Sequence, residues 1–193
     1  MAKDEFTPQD SLAIISNMIQ EARQRYEENG VIFMLWGISI AIVAAVQFYL
    51  MYIDLPEISG MIYIALVLPG IYTGYYYRNT PTRKGSNPIS RIMKIVWTAL
   101  GLNLFALGFG FYFTLGLNLI PVILIILGTG LILSGSAIRS RLFVLAGVLT
   151  QVAGYIAFFV DPVYQPLVLS TVGVFTLFLP GYSLYRKKEH SNV

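Results

Sequence analysis

The chain has 193 residues, 56% of them hydrophobic and 12% charged, with thirteen Lys and Arg against ten Asp and Glu and a mean hydropathy of +0.67. Charged residues make up roughly a quarter of ordinary soluble domains, so this composition excludes a soluble globule and predicts an all-α polytopic membrane domain. With no cysteine, disulfides, thiolate nucleophiles, iron–sulfur ligation and cysteine zinc sites are excluded; with a single histidine, His190 in the polar tail, so is a bis-histidyl haem inside a bundle.

Residues 1–30 are polar but patterned. Thr7, Pro8 and Asp10 read as N-cap, first helical residue and capping acid, so a helix is predicted to start near Thr7. Leu12, Ile15, Met18, Ile19, Ala22 and Tyr26 recur at three- and four-residue steps and form one apolar stripe, opposite Asp10, Glu21, Gln24 and Glu28, and Asn29-Gly30 supplies the stop. Helices that lie on anionic lipid carry basic polar faces, whereas this leader holds Lys3, Arg23 and Arg25 against six acids. Its face suits docking on the protein's own basic loops or on a cytoplasmic partner protein. No basic n-region with a short apolar stretch and cleavage site is present, so no removable signal peptide is expected and the first span is its own targeting signal.

The first span, residues 31–53, is uncharged over twenty-three residues, which at ~1.5 Å rise per residue covers the ~30 Å hydrocarbon core of a bilayer. Five more apolar segments follow, at 58–77, 92–115, 119–138, 142–160 and 163–185, leaving a polar tail at 186–193. The connections after spans one, three and five contain no Lys or Arg, and all thirteen basic residues fall on the other side. By the positive-inside rule both termini are cytoplasmic. Three antiparallel hairpins result, each ending on an arginine, Arg78, Arg139 and Arg186. In the first two, Trp36 and Trp97, like Arg78 and Arg139, stand sixty-one residues apart, which reads as a divergent tandem repeat.

Pro69-Gly70, Gly128 with Gly130, and Pro180-Gly181 form a layer ~9–14 Å from the basic end at helical rise. Proline frees a backbone carbonyl, which in lipid needs another partner, so this layer is either the lining of a cytoplasm-facing cavity or a set of packing kinks. Asn103, Gln151 and Gln47 put amides inside the spans, as lining of a small-molecule path or as interhelical glue. Ala41 with Ala45, Ala146-Gly147 with Ala153-Gly154, and Gly101, Gly108 and Gly110 mark close helix contacts, within one bundle or between copies. Tyrosines at both ends form an aromatic belt, and Asp54, Glu57 and Asp161 are solvated turn residues on the outer side.

No ionisable side chain sits mid-span, which disfavours a proton-driven carrier. The basic segments 86–91 and 139–141 lack a phosphate-cradling glycine loop, and no carboxylate pair or Ser–His set lies within the bundle, so no enzyme activity and no cofactor or metal is expected. The basic loops are explained by topology, so no nucleic-acid partner is expected.

Thr7-Pro8-Gln9-Asp10-Ser11-Leu12, then Ile15, Met18, Ile19 and Ala22, then Glu28-Asn29-Gly30, Leu35-Trp36-Gly37 and Gln47 resemble the opening of a family of six-helix membrane proteins from Bacteroidota-type bacteria. The likeness covers the first fifty residues and implies architecture and an inner-membrane location, with no established activity. Ala41 and Ala45 in a six-helix chain of this length are also similar to the substrate-binding subunits of energy-coupling-factor vitamin transporters, which dock through an alanine pair on their first helix. The function expected is a non-enzymatic membrane scaffold or sensor whose leader helix docks a partner; the alternative is a small-molecule binding or transport component.

Overall fold

The computed structural model describes residues 11–19, 30–79, 88–110 and 115–191. The Thr7 cap, Ala22, Tyr26, Asn29, Arg83, Lys84 and part of the third predicted span lie outside the described residues. All regular structure among the described residues is helical. We label the helices α1 (11–19), α2 (Gly30–Tyr52), α3 (Pro56–Asn79), α4 (88–110), α5 (Leu119–Ala137), α6 (Arg141–Ala157) and α7 (165–191).

Five of these, α2, α3, α4, α5 and α7, are long and apolar enough to cross a membrane. Helix α6 is apolar but has seventeen residues, ~25 Å of helical rise. The predicted segments thus reappear as helices, α6 stopping short because its chain leaves the helix after Ala157 into turns at 158–160.

Burial divides the helices into a core and a flank. Over half of the α5 span and 44% of the α7 span are buried, against 11% for α3 and 6% for α4. Helices α2, α5, α6 and α7 therefore make the core, while α3 leans on α2 and α4 leans on α5. The predicted hairpins understate two contacts that dominate the core: α5 against α6 across the turn at residues 138–140, and α2 against α7, which closes the first span on the last.

Glycines set both contacts. Gly128 and Gly135 on α5, Gly147 and Gly154 on α6, and Gly30 and Gly37 on α2 are each spaced by seven, which keeps a pair on one helix face. A Cβ on Gly128 would stand 2.8 Å from the Gly147 carbonyl oxygen, and one on Gly147 2.8 Å from the Gly128 oxygen, so backbone touches backbone there. On α2, a Cβ on Gly30 would meet the Gly181 oxygen at 2.7 Å and one on Gly37 the Gly173 oxygen at 2.8 Å.

Gly173 and Gly181 are eight apart, which in an unbroken α-helix turns them onto different faces. Between them α7 widens into a π-helical stretch, Gly173–Phe178, whose extra residue restores the register, so both glycines meet α2. Above and below these seams, Leu124, Leu131, Ile138, Phe143 and Ala157 are fully enclosed, and Phe33 packs edge-on against Phe143 and Trp97.

Two turns carry side chains where glycine is favoured. Asp54 after α2 has φ 58° and Arg139 after α5 has φ 54°, and each closes its helix with a six-to-one backbone bond, Leu55 N–H to Leu50 O at 2.9 Å and Ser140 N–H to Gly135 O at 2.8 Å. Because the helices alternate in direction, Asp54, Glu57 and Asp161 gather at one end of the bundle, and Arg78, Arg91, Arg139, Arg141 and Arg186 at the other.

Candidate functional site

The amides singled out in the sequence are tied up singly. Gln47 is buried on α2 and its Oε1 accepts the Tyr63 hydroxyl of α3 at 2.6 Å. Gln151 Nε2 on α6 donates to Thr129 Oγ1 on α5 at 2.8 Å, and that hydroxyl donates to the Ile125 carbonyl. Asn103 lies on the exposed flank of α4 and donates to the Ala99 carbonyl of its own helix at 2.8 Å. The structure does not bring the three together: Gln47 ties α2 to α3, Gln151 ties α5 to α6, and Asn103 faces outward.

The Pro/Gly layer is occupied by packing at most of its positions. Pro69 and Pro180 are buried. Gly128 contacts α6, Gly130 faces Leu100 and Trp97 of α4, and Gly181 lies against Gly30, Phe33 and Met34 of α2; only Gly70 has open space where its Cβ would be. Ala41 is buried and its carbonyl accepts the Ser170 hydroxyl of α7 at 2.9 Å, whereas Ala45 is exposed, so the alanine pair splits between two environments. Gly101, Gly108 and Gly110 meet nothing within 4 Å at their Cβ positions. Within the leader stripe Leu12 and Ile15 are exposed, and Met18 and Ile19 are half-buried.

Other polar ties escaped the sequence reading. Trp36 Nε1 donates to Thr73 Oγ1 at 3.0 Å, and Trp97 Nε1 donates to Ser134 Oγ at 3.0 Å. Ser134 follows Thr73 by the same sixty-one residues that separate the tryptophans, so the first two hairpins share an indole-to-hydroxyl bond as well as their landmarks. The third hairpin uses hydroxyls instead: Thr150 on α6 and Thr176 in the π segment of α7 are both buried with Oγ atoms 3.0 Å apart, and each also reaches the carbonyl four residues before it. Among the described residues no buried side-chain nitrogen or oxygen lacks a hydrogen-bond partner. Low dielectric makes such bonds costly to leave unmade, and here they stitch neighbouring helices together.

A concave surface lies elsewhere, at the basic end. The α5–α6 turn forms an open depression of about 440 Å³, lined by Ser136, Arg139, Ser140 and Arg141 around the turn and by Val144, Leu145 and Val148 along α6. The sequence signal for it was the density of hydroxyls and arginines between Ser134 and Arg141. Periodicity could not reveal it, because the depression depends on how the chain reverses. No group of three or more His, Cys, Asp or Glu is placed to hold a metal among the described residues.

Compared with family models, curated proteins and solved structures, the chain matches none.

Proposed function

We propose that this protein spans a bacterial inner membrane six times, as three hairpins with both termini in the cytoplasm, and acts as a non-enzymatic scaffold or sensor whose leader helix docks a partner protein. The likeness of its opening segment to the six-helix Bacteroidota-type proteins belongs to the same proposal. The observation that carries it is where the polar groups go. Gln47, Ser134, Thr150 and Thr176 are buried, and each is bonded to a neighbouring helix rather than converging with the others on one shared space. A transport component needs polar side chains facing a common path, and Asn103 and Gln151 do not share one. Two further features support the scaffold reading: Leu12 and Ile15 present apolar surface on the leader, and the basic end of the bundle complements the acidic residues of the leader.

Deleting residues 1–27 tests it. The expected outcome is loss of a co-purified cytoplasmic partner or, where the leader docks on its own bundle, a lower thermal unfolding midpoint of the detergent-solubilised protein. Unchanged composition together with an unchanged midpoint removes the scaffold reading.

A further inference from the structure

The depression at the α5–α6 turn has a chemistry of its own. Arg139 and Arg141 line it together with Ser136 and Ser140, and Val144 and Val148 continue the lining along α6 for about 6–10 Å toward the middle of the bundle. Among the described residues outside the leader and tail, the acids Asp54, Glu57 and Asp161 stand at the opposite end of the bundle from both arginines. Arg186, at the same end, is differently engaged, with its guanidinium over the Tyr182 ring at 6.0 Å from the centroid.

Three local features prepare this end of the depression for an anion. Ser140 is the N-cap residue of α6, yet its hydroxyl makes no capping bond and stays available. The first-turn N–H groups of α6 and the positive end of its dipole lie beside the same lining. Arg139 is held at φ 54°, a conformation that suits glycine, so a long cationic side chain occupies a position where the backbone favours none.

We propose that this depression binds the phosphate of an anionic phospholipid, with guanidiniums and hydroxyls on the phosphate oxygens and an acyl chain along Val144 and Val148. The proposal rests on membrane placement but not on the scaffold role. Arginine forks match phosphate oxygens in two-bond geometry, and a lipid satisfies both halves of the site at once, the charged end at headgroup level and the apolar rail below it. Free phosphate shares the headgroup chemistry and lacks the chain, which separates the two sources.

Native mass spectrometry of the full-length protein in detergent tests it, with phosphatidylglycerol and phosphatidylcholine of equal chain length in competition and inorganic phosphate in a parallel arm. The wild type is expected to retain phosphatidylglycerol over phosphatidylcholine. Arg139→Gly with Arg141→Gln is expected to cut that preference at least tenfold, since each arginine at an anionic surface contributes about a factor of five, while Arg186→Gln leaves it intact. Val148→Trp, which blocks the rail and keeps every charge, is expected to lower lipid retention as well. Equal retention of phosphatidylglycerol by the wild type and the double variant overturns the proposal. So does inorganic phosphate displacing the lipid with Val148→Trp without effect, which assigns the site to a soluble anion. A chain that alkaline carbonate strips from membranes without detergent would instead refute the membrane reading on which the site depends.

Discussion

Glycine carries opposite meanings at different positions of this chain, and the sequence alone did not separate them. At Gly37 an added methyl would stand 2.5 Å from the Phe178 nitrogen and 2.8 Å from the Gly173 oxygen, both backbone atoms that cannot swing aside. At Gly101 it would meet nothing within 4 Å. Gly37→Ala is therefore expected to cost about 1–3 kcal/mol, whereas Gly101→Ala is expected to gain roughly 0.5–1 kcal/mol by removing a flexible residue from a helix interior. Thermal unfolding in one detergent reads both, with about 2–4 °C per kcal/mol for a chain of this size. A Gly37→Ala midpoint at or above wild type would mean that α2 and α7 do not approach as described. The amides teach a similar lesson. Gln47, Asn103 and Gln151 were visible as costly groups inside apolar segments, but whether each lines a path or ties two helices depends on where its nearest hydroxyl or carbonyl stands, which only the packed bundle fixes.

The helices themselves were legible because hydrophobic length is a strong signal, and the predicted segments reappear within a few residues at most ends. Their pairing was not. A short turn correctly makes neighbours of α2 and α3, but no turn joins α2 to α7, and that contact is written in glycines spaced seven apart on one helix and eight on the other. The mismatch hides the seam from any search at a fixed period, and the π-helical stretch at Gly173–Phe178 resolves it by inserting one residue. The extra residue is thus expected to be dispensable. Deleting Phe175, an exposed side chain in that stretch, returns α7 to a regular helix with its two glycines seven apart, and the unfolding midpoint is expected to stay within about 3 °C of wild type. Deleting Val148, equally outward-facing on α6, turns Gly154 about 100° away from Ile125 and is expected to abolish the cooperative transition. Comparable losses from both deletions would show that the π-helical stretch holds something other than register.

At the scale of the molecule, the two ends of the bundle differ in charge, and the structure keeps that separation because each helix from α3 to α7 reverses the direction of the one before it. The described acids outside the leader and tail, Asp54, Glu57 and Asp161, occupy one end, and the arginines that close α3, α5 and the apolar part of α7 occupy the other. Translocating an arginine-bearing segment is costly, so the basic end is expected to remain cytoplasmic. The absence of cysteine gives an unmarked background for testing this. In intact cells a membrane-impermeant maleimide is expected to label Glu57→Cys, because Glu57 is exposed in the first turn of α3, and to leave Arg78→Cys and Arg186→Cys unlabelled until the membrane is permeabilised. Since Arg78 and Arg186 end helices that run parallel, the two must behave alike whichever way the bundle is inserted. Labelling of both in intact cells with Glu57→Cys protected would invert the orientation while keeping the fold, and labelling of only one would break the alternation on which the proposed six-span arrangement depends.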